Sequence, residues 1–386
     1  MSRGSELIAE KRAAKRRSKL NKMLNFDYTL LLIVVFILAF GFVMLYSTSA
    51  YAASLKQGDS TYYLKRQMTA AVLGFIGMAF FTKVDYRHWR PLVDVFYIIS
   101  IGLCVAVIFV GTELNSSSRW LNVGGVSVQP SEIGKVAVIL LVAHVISRAP
   151  KAQRTRQGTL FTLVLVFPLF AVVAYNNLST AVIIFGIAFI MVFIASPKFM
   201  DFIAMAGAGV VMVILFISIE SYRAGRIDAW LHPEKYTTDT AYQTMQGLYA
   251  IGSGGLFGKG LGESLQKYIV PEAQNDMIFS IICEELGIFG AICVILMYIL
   301  LLYRLLYIAN HAKDMFGSYI CIGIMAHISL QVILNIAVVT NSIPNTGVTL
   351  PLISYGGTSV AILLSEIGLA LSVSKNMEFK DDEYDA

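Results

Sequence analysis

The chain has 386 residues, is 56% hydrophobic and only 14% charged, and has a mean hydropathy of +0.68. Soluble proteins are about 45–50% apolar and about 25% charged, so a water-soluble fold could not bury this much apolar surface. The composition therefore excludes a disordered chain, a nucleic-acid-binding module and most soluble enzymes. It predicts an all-α, polytopic membrane protein whose helices form one bundle.

Ten apolar segments are candidates for membrane-spanning helices, which need about 20 mostly apolar residues. They are residues 28–46, 67–82, 92–111, 133–146, 160–175, 178–195, 202–219, 277–303, 319–339 and 358–373. An even number of spans places both termini on one side of the membrane. We therefore expect a basic tail (1–27), a ten-helix membrane domain (28–375) and an acidic tail (376–386).

The distribution of Lys and Arg gives the expected orientation. Eight of them lie in the first 22 positions, and with this tail inside, the inner segments carry 20 Lys and Arg against 9 in the outer segments. Cytoplasmic loops are enriched in Lys and Arg, so both termini are expected in the cytoplasm. The tail is either a solvated anchor or a contact for anionic lipid.

Three segments between spans are unusual. Residues 112–131 are polar, and residues 220–276 form an outer loop far longer than an ordinary connection, which is typical of functional loops. Residues 341–352 carry no charge but contain Pro344, Gly347 and Pro351. We interpret this last segment as a re-entrant or tightly folded stretch that must be buried in protein or face water.

The first candidate site lies where segment 112–131 enters the fourth span. Glu132 and Lys135 are three residues apart and should share a helix face. Two interpretations remain open for them. They form a structural ion pair that lets both charges enter the bundle, or they belong to a site for an anionic lipid head group, with Arg119 and Lys135 as phosphate partners.

The second candidate site is Asp276, at the point where the long outer loop enters the eighth span. A partly desolvated carboxylate there could act as a general base, or Asp276 could simply cap the helix. Glu284 and Glu285 lie deeper in the same span, so at least one of them must find a partner. The glycine-rich stretch 247–262 does not match a phosphate-binding P-loop and predicts a flexible loop or a close backbone approach.

The third candidate site combines Gln331 and Asn335, one helical turn apart, with the stretch 343–359, which includes Thr346 and Ser354. These neutral amides and hydroxyls could bind sugar hydroxyls, or they could satisfy broken backbone. The five histidines are scattered, and no metal-ligand spacing is present.

Four stretches together resemble the SEDS family (shape, elongation, division and sporulation), the FtsW/RodA-like peptidoglycan glycosyltransferases. They are SRWLNVGGVSVQPSEIGK, AYQTMQGLYAIGSGGLFGKGLGES, VPEAQNDMIFSIICEELG and SIPNTGVTLPLISYGGTS. The resemblance implies a ten-helix bundle with a large outer loop between the seventh and eighth helices. It also implies polymerisation of lipid II, the undecaprenyl-diphosphate-linked disaccharide-pentapeptide.

The resemblance also implies roles for single residues. Asp276 matches the essential aspartate of the family, and Glu132 and Lys135 match its polar pair. The expected substrate-binding residues are Arg119, Gln129, Ser131, Glu132, Lys135, Asn335, Thr346 and Ser354. Asn177 stands where the family usually has an acid, which puts any role needing an acid there in doubt.

A mechanism follows from this chemistry. Asp276 would take the proton of the acceptor hydroxyl, so that a single carboxylate inverts the α-linked sugar to a β-linkage. Lys135 and Arg119 would stabilise the departing diphosphate. Glu132 would position Lys135 or a divalent cation such as Mg²⁺ or Mn²⁺, and no other cofactor is expected.

The run GKGLGESLQKYIVPEAQND and the TGVTLPLISYGGTS stretch favour the cell-division branch and hence the division septum of the inner membrane. An elongation-type or sporulation-type polymerase is the alternative. A transporter or flippase would typically place charges near the midplane of repeated halves, and a non-catalytic scaffold is a third class.

The resemblance further implies a class B penicillin-binding transpeptidase and other division proteins as partners. Small residues such as Gly323 and Ala361 either permit docking of that partner or pack the bundle internally.

Overall fold

The computed structural model describes residues 26–114, 117–123, 126–196 and 239–377, with residues 202, 203, 207, 209, 230 and 231 between them. Within these residues the helices are α1 (Tyr28–Gln57), α2 (Tyr62–Lys83), α3 (Val93–Val110), α4 (Pro130–Arg148), α5 (Pro150–Gln153), α6 (Arg156–Asn176), α7 (Leu178–Ala195), α8 (Asp239–Gly254), α9 (Ile278–Asn310), α10 (Met315–Val339) and α11 (Gly357–Ser374). Short 3-10 helices occupy Tyr86–Leu92 and Gln266–Tyr268.

Eight of the described helical segments are long and apolar enough to cross a membrane: α1, α3 with its preceding 3-10 turn, α4, α6, α7, α9, α10 and α11. The helix α2, with 22 residues, also forms where a span was predicted, but Lys65, Arg66 and Lys83 make it less apolar. The predicted seventh span, 202–219, lies almost wholly outside the described residues. The all-α membrane fold is therefore confirmed, and the count of ten spans stays a prediction.

The loop between α3 and α4 contains a small antiparallel sheet that the sequence analysis did not foresee. Its strands are β1 (Thr112–Leu114), β2 (Ser117–Val123) and β3 (Val126–Val128), in the order β1-β2-β3. Thr112 pairs with Trp120, and Leu121 pairs with Val128. The hydroxyl of Thr358, in the first turn of α11, donates a hydrogen bond of 2.8 Å to the carbonyl of Ser127. The sheet is thus fastened to the end of the bundle where α4 and α11 begin.

The centre of the bundle is formed by α4 and α10. The helix α10 packs against α4, α7, α9 and α11, while α2 packs closely against α11. The most buried spans are α4 and α11, whereas α3 and α9 present wide exposed apolar faces. In a bilayer such faces contact lipid tails, so the polar side chains of α4 and α10 are enclosed by other helices.

The helix α9 is broken at Gly287, whose backbone is non-helical with φ 67°. The glycine loop, residues 255–262, fills this break with backbone hydrogen bonds. Ile288 N–H donates to Gly255 O at 3.0 Å, and Lys259 N–H donates to Glu284 O at 2.9 Å. The backbones are so close that a Cβ at Gly258 would lie 2.1 Å from the carbonyl oxygen of Glu285. The prediction of a close backbone approach is therefore confirmed.

Both glutamates beside this break are fully buried and paired. Glu284 forms a 2.6 Å ion pair with Lys259 and accepts hydrogen bonds from the hydroxyl of Ser264 and the backbone N–H of Gln266. Glu285 accepts a 2.6 Å hydrogen bond from the hydroxyl of Ser47, on α1. Burying a carboxylate is costly unless it is paired in this way. The two glutamates therefore tie the outer loop to α9 and α1.

Candidate active site

The carboxylate of Asp276 is buried, with 8% of the residue exposed, in the turn that leads into α9. Gln243, on α8, donates a 3.0 Å hydrogen bond to Asp276 Oδ1. Asn335, on α10, donates to the backbone carbonyl of Asp276 at 2.7 Å and to that of Val348 at 2.8 Å. The N-cap residue of α9 is Met277, so Asp276 lies one residue before the cap position. Gln243 of α8 therefore holds the carboxylate of Asp276, while Asn335 of α10 holds its backbone.

The segment between α10 and α11 forms the wall next to Asp276. Asn345 donates to Gln243 Oε1 at 3.1 Å and accepts from the backbone N–H of Gly347 at 2.9 Å. Gly347 has φ 67°, and a Cβ there would lie 4.0 Å from Asp276 Oδ2. The buried hydroxyl of Thr346 has no hydrogen-bond partner among the described residues. This segment thus brings a glycine and an unsatisfied hydroxyl to the site, as expected for a surface that contacts a polar ligand.

The side chains of Ser354 and Asn335 form hydrogen bonds with backbone groups. The hydroxyl of Ser354 accepts a 2.8 Å hydrogen bond from the N–H of Leu350, and Gln67, on α2, donates to Ser354 O at 2.9 Å. These contacts support the alternative that the polar side chains satisfy broken backbone. Asn335 and Ser354 lie at the site as supports of its walls rather than as free donors to a substrate.

Glu132 and Lys135 form an ion pair of 2.8 Å, with 7% and 1% of their side chains exposed. The prediction that they share a helix face is confirmed. The helix α4 begins at Pro130, which suits the first helical position. Gln129, its N-cap residue, donates a 3.1 Å hydrogen bond to the hydroxyl of Ser131. Pairing lets both charges enter the bundle near the beginning of α4.

The helix α10 connects this ion pair to Asp276. Asn335 holds Asp276, and Gln331 lies one turn further into the bundle on the same face of α10, which packs against α4. The backbone of Arg119 lies in β2, but its side chain is outside the described residues. The structure thus places Asp276, Asn335, Glu132 and Lys135 around one helix and gives no side-chain position for Arg119.

Gln243, Asn345 and Gln67 were not singled out from the sequence, although all three hold parts of the site. A polar residue inside a membrane helix is costly and therefore informative, which could have identified Gln67. Gln243 and Asn345 lie in segments whose fold is set by distant contacts, so no local pattern marks them.

Asn177 is the N-cap of α7, and its side-chain oxygen accepts a 3.1 Å hydrogen bond from the N–H of Thr180. An amide oxygen caps a helix as well as a carboxylate oxygen does, so the cap of α7 is kept although residue 177 is not an acid. Among the described residues no group of three or more His, Cys, Asp or Glu side chains could hold a metal ion. The described residues therefore do not offer a divalent-cation site of this kind.

A family model with the description "Cell cycle protein" (FTSW_RODA_SPOVE) matches residues 28–378. The chain is 38% identical over 354 residues to "Stage V sporulation protein E" of Bacillus subtilis, covering 90% of this chain and 97% of that protein. It is 35% identical over 364 residues to "Probable peptidoglycan glycosyltransferase FtsW" of Trichlorobacter lovleyi, covering 92% and 95%.

A solved structure described as "Structural coordination of polymerization and crosslinking by a peptidoglycan synthase complex" matches with a TM-score of 0.78 and 26% identity. The match covers 92% of this chain and 99% of that one. The four sequence stretches, the helical bundle and these likenesses agree over nearly the whole length. The chain belongs to the SEDS family of FtsW, RodA and SpoVE proteins.

Proposed function

We propose that this multi-pass membrane protein is a peptidoglycan glycosyltransferase that polymerises lipid II at the outer face of the bacterial cytoplasmic membrane. Each cycle moves a glycan from undecaprenyl diphosphate to an acceptor sugar hydroxyl, with inversion. The observation that carries the proposal is Asp276, a buried carboxylate held by Gln243 and Asn335 at one end of the bundle. Relatives that bear the name peptidoglycan glycosyltransferase support it.

Asp276 is the general base of this reaction. Its Oδ1 accepts a hydrogen bond from Gln243, which helps to orient the carboxylate. Gly347 keeps a side chain away from Oδ2, so an acceptor hydroxyl can approach from that side. A base held in line with the anomeric carbon removes the hydroxyl proton as the new bond forms. The diphosphate leaves with its own charge and needs no proton from an acid.

Lys135 is the cation that stabilises the departing diphosphate. Its ammonium is buried and bound to Glu132, so it is desolvated before the substrate arrives. A cation in such a water-poor site interacts more strongly with developing negative charge than it would in water. Glu132 keeps Lys135 in place between cycles. Arg119, in strand β2 of the loop before α4, is the second candidate phosphate partner.

The direct test is an assay with purified protein in vesicles that contain lipid II. Polymeric glycan of increasing length on a gel is the expected product. Movement of lipid II across the bilayer without any polymer would instead support the flippase alternative. Absence of both, with folded protein present, would support the scaffold alternative.

We propose a role at the division septum, as the sequence stretches favour. The 38% identity to the stage V sporulation protein supports a second candidate, a sporulation-type polymerase. The two are separated by expressing the chain in a host depleted of either its division enzyme or its sporulation enzyme. Restored septation is the expected result, whereas restored spore cortex alone would assign the sporulation branch.

We propose a class B penicillin-binding transpeptidase as the partner, together with other division proteins, because new glycan must be crosslinked. The expected docking surface is the exposed apolar face of α9, which includes Ile288, Phe289 and Ile292. A Cβ at Gly323 would lie 2.6 Å from Ile139, so Gly323 packs the bundle internally. Ala361 likewise packs against Gly74 of α2. These contacts favour the internal alternative for both small residues.

Co-expression tests the partnership. The expected result is a stable complex with the division transpeptidase and faster lipid II polymerisation than by the chain alone. Equal rates alone and in a demonstrated complex would remove the activation claim but leave complex formation intact. Co-purification with the elongation transpeptidase alone would show that the division branch is wrong.

A further inference from the structure

A second buried pair lies deeper in the bundle than Glu132 and Lys135. His327 Nδ1, on α10, is 2.8 Å from Glu366 Oε2, on α11, and each residue is only 1% exposed. In the part of the chain that the structure describes, the remaining polar atoms, His327 Nε2 and Glu366 Oε1, have no hydrogen-bond partner. Among the described residues, each side chain is therefore the other's hydrogen-bond partner, and their hydrogen bond links α10 and α11 near the middle of both helices.

His327 also belongs to a buried polar stripe on α10. It is followed by Gln331 and Asn335 at successive intervals of four residues, which places all three on one face of the helix. The stripe rises about 12 Å along the helix axis. At its upper end, Asn335 holds the backbone of Asp276. A rotation or axial slip of α10 would therefore displace Asp276.

The charged groups around this pair come from the two helices packed against the stripe. The helix α4 contributes Glu132, which is close enough to His327 for an electrostatic interaction, and its partner Lys135. The helix α11 contributes Glu366. Glu132 and Lys135 balance each other's charge, and Glu366 is paired with His327 through their hydrogen bond. An unpaired charge at this depth is costly, so the two pairs favour one register of α10 against α4 and α11.

We propose that His327 and Glu366 form a positioning pair for the polymerisation reaction. Their hydrogen bond fixes the rotation of α10 and its position along the helix axis. Because α10 is rigid and Asn335 binds the backbone of Asp276, the same hydrogen bond also sets the position of Asp276. Neither residue touches the substrate. The inference rests on the proposed function, because it concerns the placement of the proposed base. Misplacing a reacting group by about 1 Å can reduce the rate about 100-fold, so a small slip of α10 is enough.

The test separates position from stability. In the variant His327→Leu/Glu366→Leu, apolar side chains replace the pair, a change that often leaves a buried site as stable as before. We expect normal folding in detergent, an unchanged KM for lipid II and a kcat per folded molecule that is lower by about tenfold. Ser329→Ala is the control, because among the described residues the Ser329 hydroxyl bonds within its own helix, to Ala326 O at 3.0 Å.

A matched pair of single variants gives a second measurement that does not depend on the double variant folding. His327→Asn places an amide nitrogen where Nδ1 lies and should keep most of kcat. His327→Gln places it where Nε2 lies and should lower kcat as the double variant does. A wild-type kcat in the double variant, or equal rates for the Asn and Gln variants, would overturn the positioning role. A wild-type protein that makes no polymer would instead refute the proposed function.

Discussion

The environment of Asp276 shows how a single side chain can be both buried and reactive. Its backbone carbonyl and its side chain are held by different residues, Asn335 and Gln243, which come from different helices. Both of these residues carry neutral amides, which orient Asp276 without donating a full charge to it. This arrangement suits a base that must accept a proton and then release it.

Asp276→Asn should abolish polymerisation while the protein still folds. Asparagine keeps a side-chain oxygen for the Gln243 contact but cannot accept the proton, and loss of a general base costs about 10²–10⁴ in rate. The measurement is the initial rate of glycan formation by purified protein. Asp59→Asn is the control, since Asp59, in the α1–α2 loop, pairs with Lys65 of α2. A normal rate in Asp276→Asn would show that the base is elsewhere.

Glu132 and Lys135 should be energetically coupled. Removing one partner leaves a buried charge, which costs about 3–5 kcal/mol, whereas replacing both with neutral residues costs less than the sum of the two single changes. Glu132→Gln, Lys135→Met and the double variant complete the cycle, measured by thermal unfolding in detergent. All three should polymerise slowly, because each changes the proposed phosphate cation or its holder. Additive effects on stability would contradict the shared pair.

At the scale of elements, the break in α9 and the glycine loop form one unit. A helix interrupted near a membrane must satisfy its backbone groups inside the protein. Here the loop supplies them, and Glu284 and Glu285 secure the loop through Lys259 and Ser47. The unit lies in the helix that begins two residues after Asp276. The long outer segment therefore acts as a support for the site as well as a connection.

Gly287→Ala should loosen this unit. A Cβ at Gly287 would lie 2.4 Å from the backbone nitrogen of Gly258, and the φ of 67° is strained for alanine. We expect a loss of about 1–3 kcal/mol and faster hydrogen exchange in residues 255–262. Gly252→Ala is the matched control, because a Cβ there meets no atom within 4 Å. Equal unfolding temperatures for the two variants would contradict the packing described for the loop.

Asn177 tests whether the family acid is needed at the start of α7. Asn177→Asp should keep both stability and activity, because aspartate caps a helix as well as asparagine. Asn177→Ala should lose about 1 kcal/mol, since the N–H of Thr180 loses its acceptor. Thermal unfolding and initial rates are measured together. A rate increase in Asn177→Asp without a stability change would reveal a chemical role for an acid there.

At the scale of the whole molecule, ion pairs fasten the ends of helices that are distant in sequence. Asp27 caps α1 and pairs with Arg304 of α9 at 2.5 Å, and Arg87 pairs with Asp314 before α10 at 2.7 Å. Both pairs lie at the end of the bundle opposite Asp276. Since the excess of Lys and Arg also falls on that side, we expect this end to face the cytoplasm.

Cysteine labelling in intact cells tests this orientation. A Gln57→Cys variant should react with a membrane-impermeant maleimide, whereas His88→Cys should react only after the cells are lysed. Both positions are exposed; Gln57 lies at the end of α1, shortly before α2, and His88 lies shortly after α2. Cys104, Cys283 and Cys321 are buried, and the half-buried Cys293 is replaced by serine in both variants to remove its background. The reverse pattern would place the termini and the catalytic end on the other sides of the membrane.

The sequence by itself determined the membrane class, the position of most helices, the pairing of Glu132 with Lys135 and the family. These depend on local quantities: apolar length, spacing along one helix, and motifs read in order. Charged residues in apolar spans are also visible in the sequence. The pairing of Glu366 with His327 is not, because the two residues are 39 positions apart and no local pattern shows that they are neighbours.

Only the tertiary structure decided how these groups meet. Gln243 reaches Asp276 from 33 residues away, Ser47 reaches Glu285 from 238, and Gln67 reaches Ser354 from 287. Contacts at such separations are set by how helices pack, and no periodicity along the chain encodes them. The same reason hid the β1–β3 sheet and the loop that completes α9. In a membrane bundle, hydropathy positions each helix in the bilayer, and buried polar contacts then select one arrangement of the helices around the site.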